Sequence, residues 1–189
     1  MSMDSMKRIT GHEIAALLNP RLAVLVTCCD RKGLPNVLTV AWHTPLSHQP
    51  PLVGISIGHT RFSHSLLKET KEFVINIVGV SMTKAIKICG SYTGALDDKL
   101  SIAQLRTGPA SVVRSPLIIS ALGVLECQVD QQIETGDHTF FIGRVLYAEA
   151  RRDFFSNAWA PQNEDQALLC LQRNRFGTFV EVKTNDYER

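Results

Sequence analysis

The sequence predicts a mainly β fold, a β-barrel with a few peripheral α-helices plugging its ends. Strand-like runs of similar length recur along the chain, short turns join them, and only two or three segments carry helical periodicity. The βαβ alternation of a dinucleotide-binding sheet is missing, and so is any GxGxxG. A nucleotide-like ligand would therefore be held by barrel walls and loops.

The elements follow in order. Leu22 to Cys28 is a continuous apolar, β-branched run ended by the turn-forming Asp30-Arg31-Lys32-Gly33. Asn36 to Thr44 is a second strand that forms a hairpin with the first. Pro45, Pro50 and Pro51 then force a corner before Leu52 to Ile57, an apolar strand expected to be buried on both faces. Thr60 to Thr70 is expected to be helical with Thr60 as its cap. Phe73 to Val78 is a fourth strand. Ser81 to Cys89 is an amphipathic helix with Met82, Ala85, Ile86 and Cys89 on one face, stopped by Gly90.

A polar loop from Ser91 to Lys99 leads to a short helix around Ile102 to Leu105. Strands return at Leu117 to Ile119, Gly123 to Ile133 and Thr139 to Ala150, the last two joined by the compact turn Glu134-Thr135-Gly136-Asp137. Asn157 to Asp165 is expected to be a mobile loop, and Ala167 to Gln172 to pair with Thr178 to Val182 across Arg173 to Gly177. No repeat or low-complexity linker divides the 189 residues, so a single domain over 1–189 is expected.

An apolar share of 44%, a charged share of 20% and a net charge of +2 suit a globular chain and argue against nucleic acid or an anionic membrane as partner. No apolar run approaches the roughly 20 residues of a membrane span, and the N-terminus lacks a secretory apolar core. A cytoplasmic location is the expectation. Cys28, Cys29, Cys89, Cys127 and Cys170 are odd in number and form no CxxC, which points to buried, reduced thiols. The histidine pairs His43/His48 and His59/His64 are five residues apart, a spacing that suits neither a helical nor a strand metal site.

Chemistry concentrates in a few segments. In Gly58-His59-Thr60-Arg61-Phe62-Ser63-His64-Ser65, Arg61 offers a forked charge, Ser63 and Ser65 offer hydroxyls, and a helix start offers N–H groups. Two readings stand equally, a phosphate cradle or a capped surface helix with a solvated arginine. In Asn36-Val37-Leu38-Thr39-Val40-Ala41-Trp42, Asn36 and Thr39 suit the polar edge of a ring such as a flavin, although the segment alone is more simply an edge strand with wet Asn and Thr. Lys99 ends a loop where it either neutralises a ligand's charge or lies on the surface. Asp137-His138 sits at a hairpin mouth, where His138 either donates to a cofactor or orients a substrate, with Asp137 setting its tautomer, or is a turn histidine with no function, two readings that stand equally.

Taken together, six segments in order resemble the flavin reductase-like family that includes the flavoredoxins. They are N-x-x-T-x-A-W (Asn36, Thr39, Ala41, Trp42), P-P-L-V-G-I-S-I (Pro50 to Ile57), R-x-S-H (Arg61 to His64) and E-F-V-I-N (Glu72 to Asn76). T-G-x-x-x-D-K (Thr93 to Lys99) and G-D-H-T-x-F-I-G-x-V (Gly136 to Val145) complete the series. The likeness covers a core of about residues 15–155, with 156–189 as a C-terminal extension that matches poorly. Ser63 stands where the family often has Thr, and Thr93 where it has Ser.

The resemblance implies an FMN-binding split β-barrel and a homodimer with FMN at the interface. Arg61, Ser63 and His64 would bind phosphate. Asn36, Thr39, Val40, Trp42 and Ser56 would line the ring and ribityl chain, and Gly94, Lys99 and His138 would close over the isoalloxazine. It further implies an oxidoreductase passing electrons from NAD(P)H to flavin and on to an acceptor such as ferric iron or a partner protein, with Lys99 and His138 as the catalytic candidates. A flavoredoxin-type carrier reduced by a partner protein is the alternative, and a barrel for haem or pyridoxal phosphate a third.

Overall fold

The computed structural model of the protein describes residues 6–160 and 164–181. A 3-10 helix over Gly11–Leu18 precedes β1 (Arg21–Leu22), β2 (Val24–Cys29), β3 (Pro35–Val40), β4 (His43–His48) and β5 (Pro51–Gly58). Then come α1 (Phe62–Thr70), β6 (Glu72–Ile77), α2 (Thr83–Ser91) and α3 (Lys99–Ile102). The second half contains β7 (Thr107–Gly108), β8 (Leu117–Ile118), β9 (Gly123–Thr135), β10 (His138–Ala150), β11 (Phe155–Ser156), β12 (Ala158–Trp159), β13 (Leu169–Gln172) and β14 (Arg175–Gly177).

Seven antiparallel strands in the order β3-β2-β6-β9-β10-β5-β4 make the barrel wall. The barrel interior and its outer face are both packed, and β2 shows why: every residue of VLVTCC is buried. Period-2 alternation sends Val24, Val26 and Cys28 inward to meet Leu38, Ile55, Phe73 and Phe141, with Leu66 and Leu67 of α1 as the plug. Leu25 and Val37 face the other way and pack against Met82, Ile86 and Cys89 around α2, with Ile118 and Leu168. The long β9–β10 hairpin turns through Gly136-Asp137, with Gly136 at φ +65°, a conformation glycine adopts without penalty.

Buried polar groups brace the sheet. The Asn76 amide donates to the carbonyls of Leu25 (3.0 Å) and Val74 (3.2 Å) and to Thr27 Oγ1 (3.1 Å), while its Oδ1 accepts from the Ile118 N–H at 2.7 Å. The buried Glu126 carboxylate accepts from the N–H groups of Ser111 (2.8 Å) and Val112 (2.7 Å), pinning that loop. Among the described residues no helix is long and apolar enough to cross a membrane.

Several sequence expectations are corrected. Asn36 to Thr44 is two strands: β3 pairs with β2, then the chain bends at Ala41-Trp42 and β4 pairs with β5. Pro45 lies inside β4, an edge strand with a bulge after it, where its missing N–H is tolerated. Leu52 and Val53 of β5 are only half-buried, because β4 covers an edge and not a face. Helix α1 begins at Phe62 with Arg61 at the cap, so Thr60 does not cap it. Gly90 lies within α2, which runs to Ser91.

The short helix forms at Lys99–Ile102, earlier than Ile102 to Leu105, because the Asp98 carboxylate accepts from the Ser101 N–H at 3.1 Å and sets its start. At the end of the chain β13 pairs with Arg175–Gly177, inside the stretch expected to be the turn, and the turn is Arg173-Asn174. Of the expected Asn157 to Asp165 loop, Ala158–Trp159 pairs back on Phe155–Ser156, and residues 161–163 lie outside the described residues. Val182, the end of the last expected strand, is outside them too. Four of the cysteines are buried and Cys170 is half-buried, all free.

Candidate functional site

A cavity of about 520 Å³ opens along the free edge of β3, between the start of α1, the end of α2, the 92–98 loop and the β13–β14 hairpin. Arg61, Lys87, Lys99 and Arg173 line it, and among the described residues no carboxylate does. Arg61, Lys87 and Lys99 enter no ion pair among the described residues, and such cations around one hollow favour an anionic ligand.

The first anion-binding element is the start of α1. Arg61 is at the cap position and no side chain caps the helix, so its first N–H groups are open to an anion. Arg61 is exposed and enters no ion pair among the described residues. Ser63, 2% exposed, accepts from Asn36 Nδ2 at 2.5 Å and also hydrogen-bonds the buried Cys28 side chain. Asn36 thus lies beneath the cavity wall and acts on it through Ser63. Gly94 makes this layer possible, since a Cβ there would stand 2.1 Å from Asn36 Oδ1 and 3.1 Å from Phe62 Cδ1.

Lys99, at the start of α3, is 5% exposed and enters no ion pair among the described residues. Burial lowers its pKa from the usual 10.5, and Arg61 pushes the same way against the opposing pull of Cys89, Cys28 and Asp97. The same burial pushes Cys28 up to about 12 and Cys89 up to about 11, so these thiols give Lys99 no counter-charge at neutral pH. An anion entering the cavity would restore the charge that burial disfavours.

The opposite wall is flat and aromatic. Trp42, 43% exposed, stacks on His138 with ring centroids 4.9 Å apart and planes 29° off parallel. His138 Nδ1 donates to Asp137 Oδ1 at 2.7 Å, which fixes the tautomer and leaves Nε2 as the free nitrogen of the neutral ring. That hydrogen bond is also the main cause of the lowered Asp137 pKa. Between the walls, Leu38, Thr39, Val40, Ala41 and Trp42 line the cavity, and β3 is an edge strand, so its outer backbone groups lack ladder partners. Trp42 O is engaged, accepting from the Ser56 N–H at 2.9 Å and tying the bend to β5.

The structure brings Thr39, Val40, Trp42, Ser56, Arg61, Ser63, Gly94, Lys99 and His138 to this one hollow. Thr39 arrives with its proton committed, donating to Ile86 O of α2 at 2.6 Å. His64 is elsewhere: its Nε2 is 2.7 Å from Thr139 Oγ1, and its ring stands edge-on to Phe141. His64 lies about 100° further round α1 than Ser63, on the side of Thr139 and Phe141, and does not line the cavity. Ser65 donates to Phe62 O at 2.9 Å and also stays out. Sequence reasoning missed Lys87, Tyr92, Asn174, Arg173 and Phe176. Lys87 follows Ile86 on α2, off the apolar face that was read, and the hairpin lies in the segment that matched poorly.

An uncharacterized protein of Archaeoglobus fulgidus is 40% identical over 113 residues, 60% of this chain and 64% of the relative, so the match spans less than two thirds of that protein. An NADH-dependent FAD reductase of Streptomyces globisporus is 30% identical over 115 residues, covering 60% of this chain and 62% of the relative. Among solved structures, an FMN-binding protein from Thermus thermophilus superposes with TM-score 0.82 at 23% identity over 98% of this chain and 99% of its own. A flavoredoxin of Desulfovibrio vulgaris superposes with TM-score 0.81 at 21% identity, covering 100% and 98%. The flavin reductase like domain matches residues 18–178, the barrel and the C-terminal hairpin included. The chain belongs to the flavin reductase-like family and has its mainly β, split-barrel fold.

Proposed function

We propose that the protein binds FMN in this cavity as an oxidoreductase that passes electrons from NAD(P)H to flavin and onward to an acceptor such as ferric iron or a partner protein. One observation carries the reading: a cavity with no carboxylate among its described lining residues joins Arg61, Lys87 and Lys99 to an uncapped helix start, a free strand edge and a stacked aromatic wall. Those parts fit a phosphate, a hydrogen-bonding ring edge and a flat ring face. The relative named as an NADH-dependent FAD reductase supports the donor.

When bound, the flavin supplies the hydride and electron chemistry. Arg61, Ser63 and the first N–H groups of α1 hold the phosphate, with Asn36 orienting Ser63. The edge of β3 at Thr39 and Val40 meets the ring, and Ser56 and Trp42 complete its wall. Lys99 offers a desolvated positive charge to whichever part of the ligand is most negative. His138, held by Asp137, stands on the side open to a nicotinamide.

The same reading includes a homodimer. Beside the cavity runs a groove lined by Ala15, Leu18, Trp42, Ser56 and Phe140, with Ile14 and Leu17 exposed nearby. Trp42 and Ser56 border both hollows. A second copy seated on this apolar strip would bury it and finish the site's outer wall.

The test is the absorbance spectrum of the purified protein, then anaerobic mixing with NADH and with NADPH. Flavin bands that bleach with one donor support the reductase. Bands that persist with both leave the carrier, and absent bands end the flavin assignment. Arg61→Ala is expected to weaken FMN by about 1.5–3 kcal/mol while riboflavin affinity changes little. Equal losses for both ligands would remove Arg61 from the phosphate role.

A further inference from the structure

β3 runs along the cavity from Asn36, which lies beneath the proposed phosphate cradle through its bond to Ser63, to Val40 beside the aromatic wall, roughly 13 Å of extended strand. A flavin laid along this edge ends in its phosphate at Arg61 and Ser63. Whatever is esterified to that phosphate leaves over the surface next to the cradle. Two aromatic rings stand there. Phe62 and Tyr92 both line the cavity, and they are 37% and 48% exposed. Among the described residues neither ring meets another aromatic ring or a cation.

Both rings are placed by the backbone that carries them. Phe62 is the first residue of α1, directly after Arg61, so its ring is tied to the anion-binding end of the helix. The Gly94 backbone passes beside that ring, since a Cβ on Gly94 would stand 3.1 Å from Phe62 Cδ1. Tyr92 closes α2, its N–H donating to Ile88 O at 3.0 Å. The loop after it is wound tight, with Thr93 O accepting from the N–H groups of Leu96 (3.2 Å) and Asp97 (3.0 Å). One exposed aromatic residue would carry no message. Two that border the same anion cradle offer a flat apolar face where a purine can stack.

We propose that Phe62 and Tyr92 form an adenine platform beside the phosphate cradle, so that the cavity takes the flavin dinucleotide FAD in addition to FMN. The platform deepens the flavin-binding reading, on which it rests. In FAD the adenylate is joined to the same phosphate that Arg61 and Ser63 would hold, which brings the base to the two rings. A nicotinamide dinucleotide also carries adenine, but it would enter on the His138 side, at the far end of β3. Arg61 is exposed and has more N–H donors than one phosphate uses, so its fork can serve both phosphates of the bridge. Ser91 and Thr93, on either side of Tyr92 in the chain, line the same cavity and bring hydroxyls to the second phosphate.

Equilibrium binding tests the platform without turnover. The full chain, freed of flavin, is titrated with riboflavin, FMN and FAD, and the FMN-loaded protein with ADP-ribose. Wild type is compared with Phe62→Ala, Tyr92→Ala, their combination and Tyr92→Phe. Wild type is expected to bind FAD at least as tightly as FMN. The double alanine variant is expected to lose about 10-fold or more for FAD, with FMN and riboflavin within about twofold. Tyr92→Phe keeps the ring face and should hold FAD within about twofold of wild type, which tells a lost stacking face from a disturbed loop. A loss confined to ADP-ribose would give the platform to a nicotinamide dinucleotide and overturn the proposal. FAD affinity untouched by the double substitution, wild-type FAD binding about 10-fold weaker than FMN, or an FMN loss as large as the FAD loss would overturn it too. Binding of neither FMN nor FAD to wild type would instead end the flavin reading, and the platform with it.

Discussion

Asn76 on β6 and Asn36 on β3 are both buried amides in apolar strands, but they are used differently. Asn76 is surrounded by partners that are themselves structural: two acceptors on neighbouring β2, the Val74 carbonyl of its own strand and the Ile118 N–H. Asn36 hydrogen-bonds Ser63, which lines the cavity, and the buried Cys28, and it sits under a glycine that nothing larger could replace without a shift. A central strand has neighbours on both sides to satisfy an amide, whereas an edge strand passes the amide's unused capacity to whatever docks there. Burial of a polar residue therefore does not by itself mark a site. The site is marked where the partner chain of hydrogen bonds ends in open space.

Four experiments break or sharpen that contrast. Asn76→Ala should cost the most, about 3 kcal/mol of unfolding free energy in urea, because a buried N–H and several acceptors lose their partner together. FMN affinity of the folded protein should stay unchanged, and a loss of affinity exceeding the loss of stability would erase the contrast. Gly94→Ala should cost about 2 kcal/mol, since its Cβ overpacks against the Asn36 amide. Combined with Asn36→Ala, part of that cost should return, and a coupling below about 0.5 kcal/mol would mean the two do not meet.

Asn36→Ala alone should lower stability by about 1 kcal/mol yet weaken FMN about 10-fold more than it weakens riboflavin, because Ser63 loses its orienting donor. The smallest expected effect is a pH drift. Lys99 has a folded pKa below 10.5, so its burial penalty is full at low pH and relieved as pH rises through that folded value towards 10.5. A bound anion favours the charged form, so FMN affinity should fall several-fold as pH rises through the same window. Lys99→Arg should flatten the profile, as Arg keeps its charge.

The contrast also bears on what the sequence made legible. The β9–β10 hairpin was bounded to within two residues at either turn end, because strand patterning is long there and Gly136 punctuates it. The bend at Ala41-Trp42 was invisible, since no Gly or Pro marks it and its cause is a change of partner from β2 to β5. The C-terminal hairpin was misplaced because Gly177 resembles a turn residue, whereas the turn is made by Arg173 in a left-handed conformation that sequence does not announce. Arg61, Ser63, Gly94, Lys99 and His138 were found through residue chemistry and family resemblance. His64 was carried along by its motif, and its contact with Thr139 follows from the packing of α1 on β10, which sequence does not announce.

Cys28 and Cys89 lie beside Lys99, and Cys89 borders the cavity. A cation next to a thiol usually makes it reactive, yet here burial prevails and the Cys28 pKa stands at about 12. At pH 7 only about one Cys28 in 100,000 would be ionised, and the thiolate is the species that attacks disulfides and peroxides. The flavin chemistry proposed for the cavity would thus run beside two sulfurs that burial keeps as thiols.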